Sequence, residues 1–374
     1  MIRIMKPLAR FAHLLFLYLF SFPNTVAAQP TRALYGFEAT GMFGGTGEET
    51  VTALQDLGAN AVFSNNLSPE LLRSLHTANI KVYATINVFG EHALWKRHPN
   101  LRPMNSNGEE LEAKPGNGIC PTQRWYWPRV LRNIAQRAEA GYDGVWLDFI
   151  RFSGYWELPK PKLERVCFCD STLVDFSRAT GIVFPENLPA PTLSAPADSA
   201  RVRDLDNAAK AAWILAHHRS AWRNYLGNVI ADFARQAKET LAKKNAPVTL
   251  GMFVVPWQRE EYNFAMVEVL GQDYRKLREH VEVFSPMLYH ELAGREVDWI
   301  ARFVEYAAKE TGKLVWPIIQ CDLGAEHRVS DDTFAAAVLS ALDAPSQGVI
   351  IFNHKALLDA KQTRILGSSW RVAQ

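Results

Sequence analysis

Along the chain, short runs of apolar and β-branched residues alternate with longer stretches whose apolar positions recur every three or four residues. The runs are "ALYGFEAT" (33 to 40), "ANAVFSN" (59 to 65), "KVYATINVF" (81 to 89), "GVWLDFIRF" (144 to 152), "VTLGMFVVP" (248 to 256), "VEVFSPMLY" (281 to 289), "LVWPIIQ" (314 to 320) and "GVIIFNH" (348 to 354). Near-continuous apolarity, rather than strict alternation, is the pattern of strands buried on both faces. Between them, "GEETVTALQDLG" (47 to 58) and "SPELLRSLHTANI" (68 to 80) carry helical spacing, the second with Ser68 at the N-cap position and a carboxylate in the first turn. Eight such pairs predict an α/β fold, a (β/α)8 TIM barrel, which takes about 250 residues before insertions. A doubly wound open sheet is the alternative, because counting strands does not establish closure.

The surplus length falls in two long βα loops, after strands 3 and 4. Residues 90 to 128 follow the third strand, and the stretch 153 to 203 after the fourth ends in the Pro, Ala and Ser rich "FPENLPAPTLSAPADSA". Loops after barrel strands build the C-terminal rim, where the chemistry of this fold sits. Both insertions are therefore expected to decorate the functional face of a single domain, 29 to 374.

Composition narrows the class without naming a partner. A content of 48% hydrophobic and 21% charged residues is that of a globular chain with a large core, which excludes whole-chain disorder. The 41 Lys and Arg against 39 Asp and Glu leave a net charge of +2, and no basic block suggests nucleic acid. The first residues read as a cleaved signal peptide, 1 to 28: Arg3, Lys6 and Arg10, then "LLFLYLF" (14 to 20), then Val26 and Ala28 before a cut at Gln29. That apolar core is much shorter than the roughly 20 residues of a membrane span, so no stable membrane insertion is expected after cleavage. A periplasmic or secreted monomer is the expectation.

In such a compartment the four cysteines are candidates for pairing. Cys120 can meet the "CFC" stretch of Cys167 and Cys169 if both lie on one rim, with Cys321 elsewhere; free buried thiols are the alternative. A C-x-C pair lacks the two-residue spacer of a zinc knuckle, and no His follows at ligand spacing, so no metal or other cofactor is expected.

The fourth run raises the chemical question. "GYDGVWLDFIRF" (141 to 152) is an apolar strand that carries Asp148 near its exit and Arg151 beyond it. Burying an unpaired carboxylate costs several kcal/mol, so Asp148 must be paired, hydrated or functional. Other strands also end in polar groups: Glu38 on the first, Tyr289, His290 and Glu291 on the sixth, Gln320 and Asp322 on the seventh, Asn353 on the eighth. Trp95, Trp125, Trp127, Trp156 and Trp257 fall on the same face, and exposed large aromatics mark binding surfaces. Carboxylates between aromatic platforms suit a sugar, whose apolar face stacks while its hydroxyls take hydrogen bonds.

Glycoside hydrolysis needs two carboxyls flanking the bond to be cut. Asp148 is the first candidate, and Glu291 and Asp322 are the best partners, with Glu38 and Glu260 behind. Arg151 is expected to lower the Asp148 pKa and favour a nucleophile or base role. Substrate-binding candidates are Glu38, Arg151, Trp156, Trp257, Tyr289, His290, Gln320 and Asn353.

"GYDGVWLDFIRF" resembles the D-G-x-x-x-D-Y-I-R-Y fourth strand of a group of bacterial TIM-barrel glycoside hydrolases. "SPMLYH" resembles that group's sixth strand, "SAWRNYLGNVIADFARQAKE" (220 to 239) its helix after the fourth, and "HPN...NSNGEE...ICPT" its loop after the third. The resemblance implies an envelope or secreted carbohydrate-active enzyme with a carboxylate at Asp148. The chitinase motif D-G-x-D-x-D-x-E also overlies Asp143 to Ile150, but Ile150 stands at its catalytic Glu and Trp146 at its middle Asp, which argues against that mechanism.

Two other classes stay open: a carbohydrate-binding barrel without catalysis, and a deacetylase or esterase. A metal-dependent deacetylase would need His290, His354 and Asp148 grouped at the mouth. No G-x-S-x-G elbow appears, and "GMFGGTGEE" (41 to 49) lacks the Lys and Ser or Thr of a phosphate loop.

Overall fold

The structure, a computed structural model, describes residues 29–40, 43–161, 163–189, 204–243, 247–323, 328–343, 345–358 and 360–372. The N-terminal stretch read as a signal peptide, and the second insertion from residue 190 to 203, lie outside the described residues.

Every predicted run overlaps a strand. These are β1 (Thr31–Tyr35), β2 (Ala61–Phe63), β3 (Lys81–Asn87), β4 (Gly144–Asp148), β5 (Thr249–Val254) and β6 (Val283–Leu288), then β7 in two segments (Leu314–Val315 and Ile318–Gln320), and β8 (Gly348–Phe352). Both β7 segments pair with β6, so the nine segments of the sheet are eight strands. All pairings are parallel, and β8 closes on β1 with Ala33 opposite Ile350. The sheet is thus a closed (β/α)8 barrel rather than an open one. The break in β7 falls at Trp316 and Pro317, where proline has no N–H for the ladder; its carbonyl still accepts from the Ile350 N–H at 2.9 Å.

Helices cover the outside: α1 (Gly47–Leu57), α2 (Pro69–Thr77), α3 (Trp127–Glu139), α4 (Asp170–Thr180), α5 (Leu205–His217), α6 (Arg219–Ala242), α7 (Glu261–Glu268), α8 (Tyr274–Leu277), α9 (Asp298–Thr311), α10 (Asp331–Leu342) and α11 (Ala360–Val372). Ser68 caps α2 as expected, accepting from the Leu71 N–H at 3.2 Å. Thr46 and Glu49 close a capping box on α1. No helix among the described residues is long and apolar enough to cross a membrane. The insertion after β3 holds three 3-10 turns and an isolated antiparallel bridge between Met104 and Glu110, whereas the one after β4 places α4 and α5 ahead of the crossover helix α6.

The barrel interior is plugged by aromatics. Trp146 of β4 is fully buried, with Tyr83, Phe63 and Trp316 ring centroids 4.7, 5.0 and 5.3 Å away, and its Nε1 donates to Ser285 Oγ at 2.9 Å. Gly251 on the adjoining strand leaves its room: a Cβ there would lie 2.1 Å from Trp146 Cε2. Gly251→Ala is therefore expected to destabilise the fold by about 1–3 kcal/mol, the usual scale of overpacking, read as a lower urea midpoint at unchanged slope. An unchanged midpoint would mean that Trp146 has space to move.

Candidate active site

Asp148 is the last residue of β4, two positions beyond Trp146 and on the same inward face, so it caps the aromatic plug at the C-terminal mouth. Its Oδ1 accepts from the Phe149 N–H at 2.8 Å. The chain then leaves through a left-handed Phe149, φ 50°, a conformation that costs an aromatic residue about 1–3 kcal/mol. Two contacts hold it there. The ring lies on Gly90, where a Cβ would stand 2.6 Å from Phe149 Cγ, and the Arg151 guanidinium sits 5.0 Å over the ring. That turn sends Arg151 back under the rim. Its Nη1 donates to the carbonyls of Gly154 at 2.8 Å, Phe152 at 3.2 Å and Gly116 at 3.4 Å, tying together the loops after β3 and β4.

The second carboxyl at this place is Glu157, on the loop after β4, which the sequence reading passed over. Glu157 and Asp148 both act on the buried Arg151, whose pKa burial pushes down to about 10 against their opposing pull. Asp148 itself is raised above the ordinary carboxylate range: burial is the largest cause, and the Phe149 N–H and Arg151 offset it only in part. The expectation that Arg151 leaves Asp148 with a lowered pKa is thus corrected, because desolvation outweighs the guanidinium. Glu157 is also raised, first by burial, then by the Asp148 charge, with Arg151 opposing.

Phenols and rings wall the pair. Tyr289, just past β6, is held far above its ordinary pKa by burial and by the charges of Tyr35, Glu157 and Asp148, and Tyr35 of β1 is raised by burial and Asp148. Both hydroxyls therefore stay protonated donors at neutral pH. Tyr289 stacks with Trp156 at 5.8 Å and meets Phe352 at 5.0 Å, and Phe352 in turn meets Tyr35 at 5.3 Å.

The other candidates fall elsewhere. Glu291 is exposed on the turn after β6 and acts on His290, while Asp322 turns toward α11, its backbone N–H donating to Gln362 Oε1 at 3.0 Å. Glu38 pairs with Lys355 Nζ at 3.3 Å on the outer rim. Its N–H donates to His354 Nδ1, and that ring lies 5.1 Å from each of Phe37 and Phe43 in a side core. His290 is buried and kept neutral by burial. Gln320 accepts from the Leu292 N–H at 3.2 Å, and Asn353 Oδ1 from the Ala356 N–H at 3.1 Å. Glu260 precedes α7, where the adjacent Glu261 binds Arg295.

The aromatic platforms also need correcting. Trp95, Trp127, Trp156 and Trp257 are buried, Trp257 against Tyr262, and of the five tryptophans only Trp125 is largely exposed, at 51%. Their rings fill space under long loops, so most of the aromatic signal came from packing. Nor do His290, His354 and Asp148 form a ligand set: among the described residues, the close group of metal-capable side chains is Cys120, Cys167 and Cys169. All four cysteines are free thiols.

A cavity of about 610 Å³ lies at the opposite end of the barrel, between Lys238, Leu250, Glu282 and Leu314. It opens at the N-terminal ends of the strands, the face of this fold that carries stability rather than chemistry.

Raised carboxyls make a pH prediction. A carboxyl whose pKa is higher folded than unfolded binds more protons in the native state, so it costs nothing below its unfolded pKa of about 4 and destabilises increasingly as pH rises through the folded value. Asp148→Asn should accordingly melt above the wild type at pH 7, the gap closing below about pH 4. A variant that melts lower at pH 7 would show that the Asp148 charge stabilises the rim instead.

A closed parallel barrel with two carboxyls and a guanidinium at its C-terminal mouth has the layout of a TIM-barrel glycoside hydrolase. The chain belongs to the family described as "Putative glycosyl hydrolase domain", whose model matches residues 47–297. Among solved structures it is similar to the PgaB (BpsB) glycoside hydrolase domain from Bordetella bronchiseptica, with 11% identity and a TM-score of 0.60 over 91% of this chain and 99% of that one. It is similar also to a β-galactosidase from Marinomonas ef1, with 10% identity and a TM-score of 0.60 over 92% of this chain and 59% of that one. The chain thus spans little more than half of that β-galactosidase, and at such identities the likeness is one of fold. No curated protein matches the sequence significantly.

Proposed function

We propose that this chain cleaves glycosidic bonds in a poly- or oligosaccharide, with Asp148 and Glu157 as its carboxyl pair. The observation that carries the reading is that both carboxyls lie within the field of one buried guanidinium just past β4 and both are raised by burial. Their environments differ in a way that separates two roles. Asp148 keeps a backbone N–H donor and the Arg151 charge, which favour its ionised form, whereas Glu157 is pushed further up once Asp148 ionises. Glu157 is then the general acid that protonates the leaving oxygen, and Asp148 the nucleophile or base. Tyr35 and Tyr289, held protonated, would donate to sugar hydroxyls beside the pair.

The test is release of new reducing ends from a panel of bacterial, plant and fungal polysaccharides, with wild type and Asp148→Asn side by side. Release by wild type alone supports the reading and names the substrate class. Binding of one polymer by both proteins, without release, would make this a carbohydrate-binding barrel. The sequence pattern of the first 28 residues supports action in the periplasm or outside the cell, and an N-terminus at Gln29 on the accumulated protein is the expected result.

A further inference from the structure

Cys120 comes from the insertion after β3, and Cys167 and Cys169 from the insertion after β4, so the fold assembles what the C-x-C spacing alone does not suggest. The three sulfurs lie within 4.8 Å of one another, and those of Cys120 and Cys169 are 3.7 Å apart. Cys120 and Cys167 are buried, while Cys169 keeps partial access at the N-cap of α4. Around them stand groups that can donate to sulfur. Thr122 and Thr172 hydroxyls lie 3.1 and 3.3 Å from Cys120 Sγ, and Ser171 and Thr172 hydroxyls each 3.2 Å from Cys169 Sγ. The Met104 N–H donates to Cys167 Sγ at 3.4 Å, and Gln123 Nε2 lies 4.0 Å from Cys169 Sγ.

The geometry points to a structural site for one thiophilic cation, Zn2+ or Cu+, held by the Cys120, Cys167 and Cys169 sulfurs. Zinc-to-sulfur bonds of about 2.3 Å set sulfur-to-sulfur edges of about 3.8 Å in a tetrahedron, so the Cys120–Cys169 edge already fits and the widest pair needs to close by about 1 Å. Binding is acid–base chemistry without electron transfer. Three S–H bonds give up their protons to solvent and three sulfur-to-metal bonds form; for Zn2+ a solvent molecule completes the tetrahedron on the open Cys169 side. Three thiolates against a divalent or monovalent cation leave net negative charge, and the surrounding hydroxyls and the Met104 amide are the donors such a charge requires. A disulfide would use only two of the three clustered sulfurs.

The site would act as a staple. Cys120 is four residues from Gly116, and Cys167 lies in the insertion that also carries Gly154, and the carbonyls of those two glycines hold Arg151. The ion would thus fix the two loops on which the carboxyl pair rests. Its detection needs no substrate, so the inference stands or falls apart from the glycosidase reading.

The experiment uses the intact protein, purified anaerobically under reducing conditions, stripped with chelator and titrated with Zn2+ alone and, separately, with Cu+ alone. One equivalent of either, protection of Cys169, the partly accessible thiol of the three, from alkylation, and a Tm rise of several degrees are expected. The tighter of the two identifies the cation. Co2+ should give a thiolate-to-metal charge-transfer band that Cys120→Ser and Cys169→Ser weaken or lose and Cys321→Ser keeps. Should the serine variants fail to fold, the alkylation pattern and Tm shift of the wild type still decide. No uptake by protein with four reduced thiols would overturn the proposal. So would a native protein lighter by two hydrogens, with Cys120 and Cys169 joined in one peptide.

Discussion

Asp148→Asn is expected to lower kcat on any polymer the wild type cleaves by about 10³-fold or more while leaving the fold and polysaccharide binding in place. The amide is nearly isosteric and can still accept from the Phe149 N–H, so the left-handed exit from β4 keeps its internal hydrogen bond. What it loses is the negative charge that attacks the anomeric carbon or deprotonates water, and no neighbour replaces it. Arg151 keeps its three carbonyl acceptors, so its side chain stays where it is. The result to measure is kcat together with a binding isotherm for the same polymer. A fall in kcat with unchanged affinity assigns Asp148 to the chemistry. Loss of binding and of thermal stability together would make it part of the rim's structure instead.

How much of this could be read from the chain divides along a physical line. Strands were legible because burial on both faces writes itself as local apolarity: β4 lies at 144 to 148, within the run read at 144 to 152. Asp148 was legible for the same reason, as a charge at odds with its run. The partner was not. A strand-end carboxylate reaches the mouth only if the chain keeps its strand direction, and the chain seldom does: Gly36 at φ 67° turns it between Tyr35 and Glu38, sending Glu38 outward to Lys355. Tyr35, three residues earlier in the true strand, lies within the field of Asp148 instead. Glu157 sits in an insertion tied down by the Arg151 contacts, and it comes within the field of Asp148 through that loop rather than by register. Its one sequence signal was local, a single carboxylate between Trp156 and Leu158 in an otherwise apolar stretch. The cysteine cluster was half legible, since the meeting of Cys120 with the "CFC" stretch followed from both insertions lying on one rim, but the approach of all three sulfurs did not.

Glu157→Gln should show a different defect, one that depends on the leaving group. A general acid matters in proportion to how badly the departing oxygen needs a proton. With a sugar as leaving group, loss of the Glu157 proton is expected to cost about 10²–10⁴-fold in kcat/KM. With a nitrophenol, which departs as a stable anion, the first step should survive nearly intact. The pH profile carries a second signature. In the wild type, activity should fall on the alkaline side as Glu157 gives up its proton, and its raised pKa sets that limb above the range of an ordinary carboxylate. The limb should vanish in Glu157→Gln, leaving only the acid side, where Asp148 takes up its proton. Equal losses on sugar and nitrophenyl substrates, with the alkaline limb retained, would exclude Glu157 as the acid and return the search to the rim carboxylates that the strand ends carry.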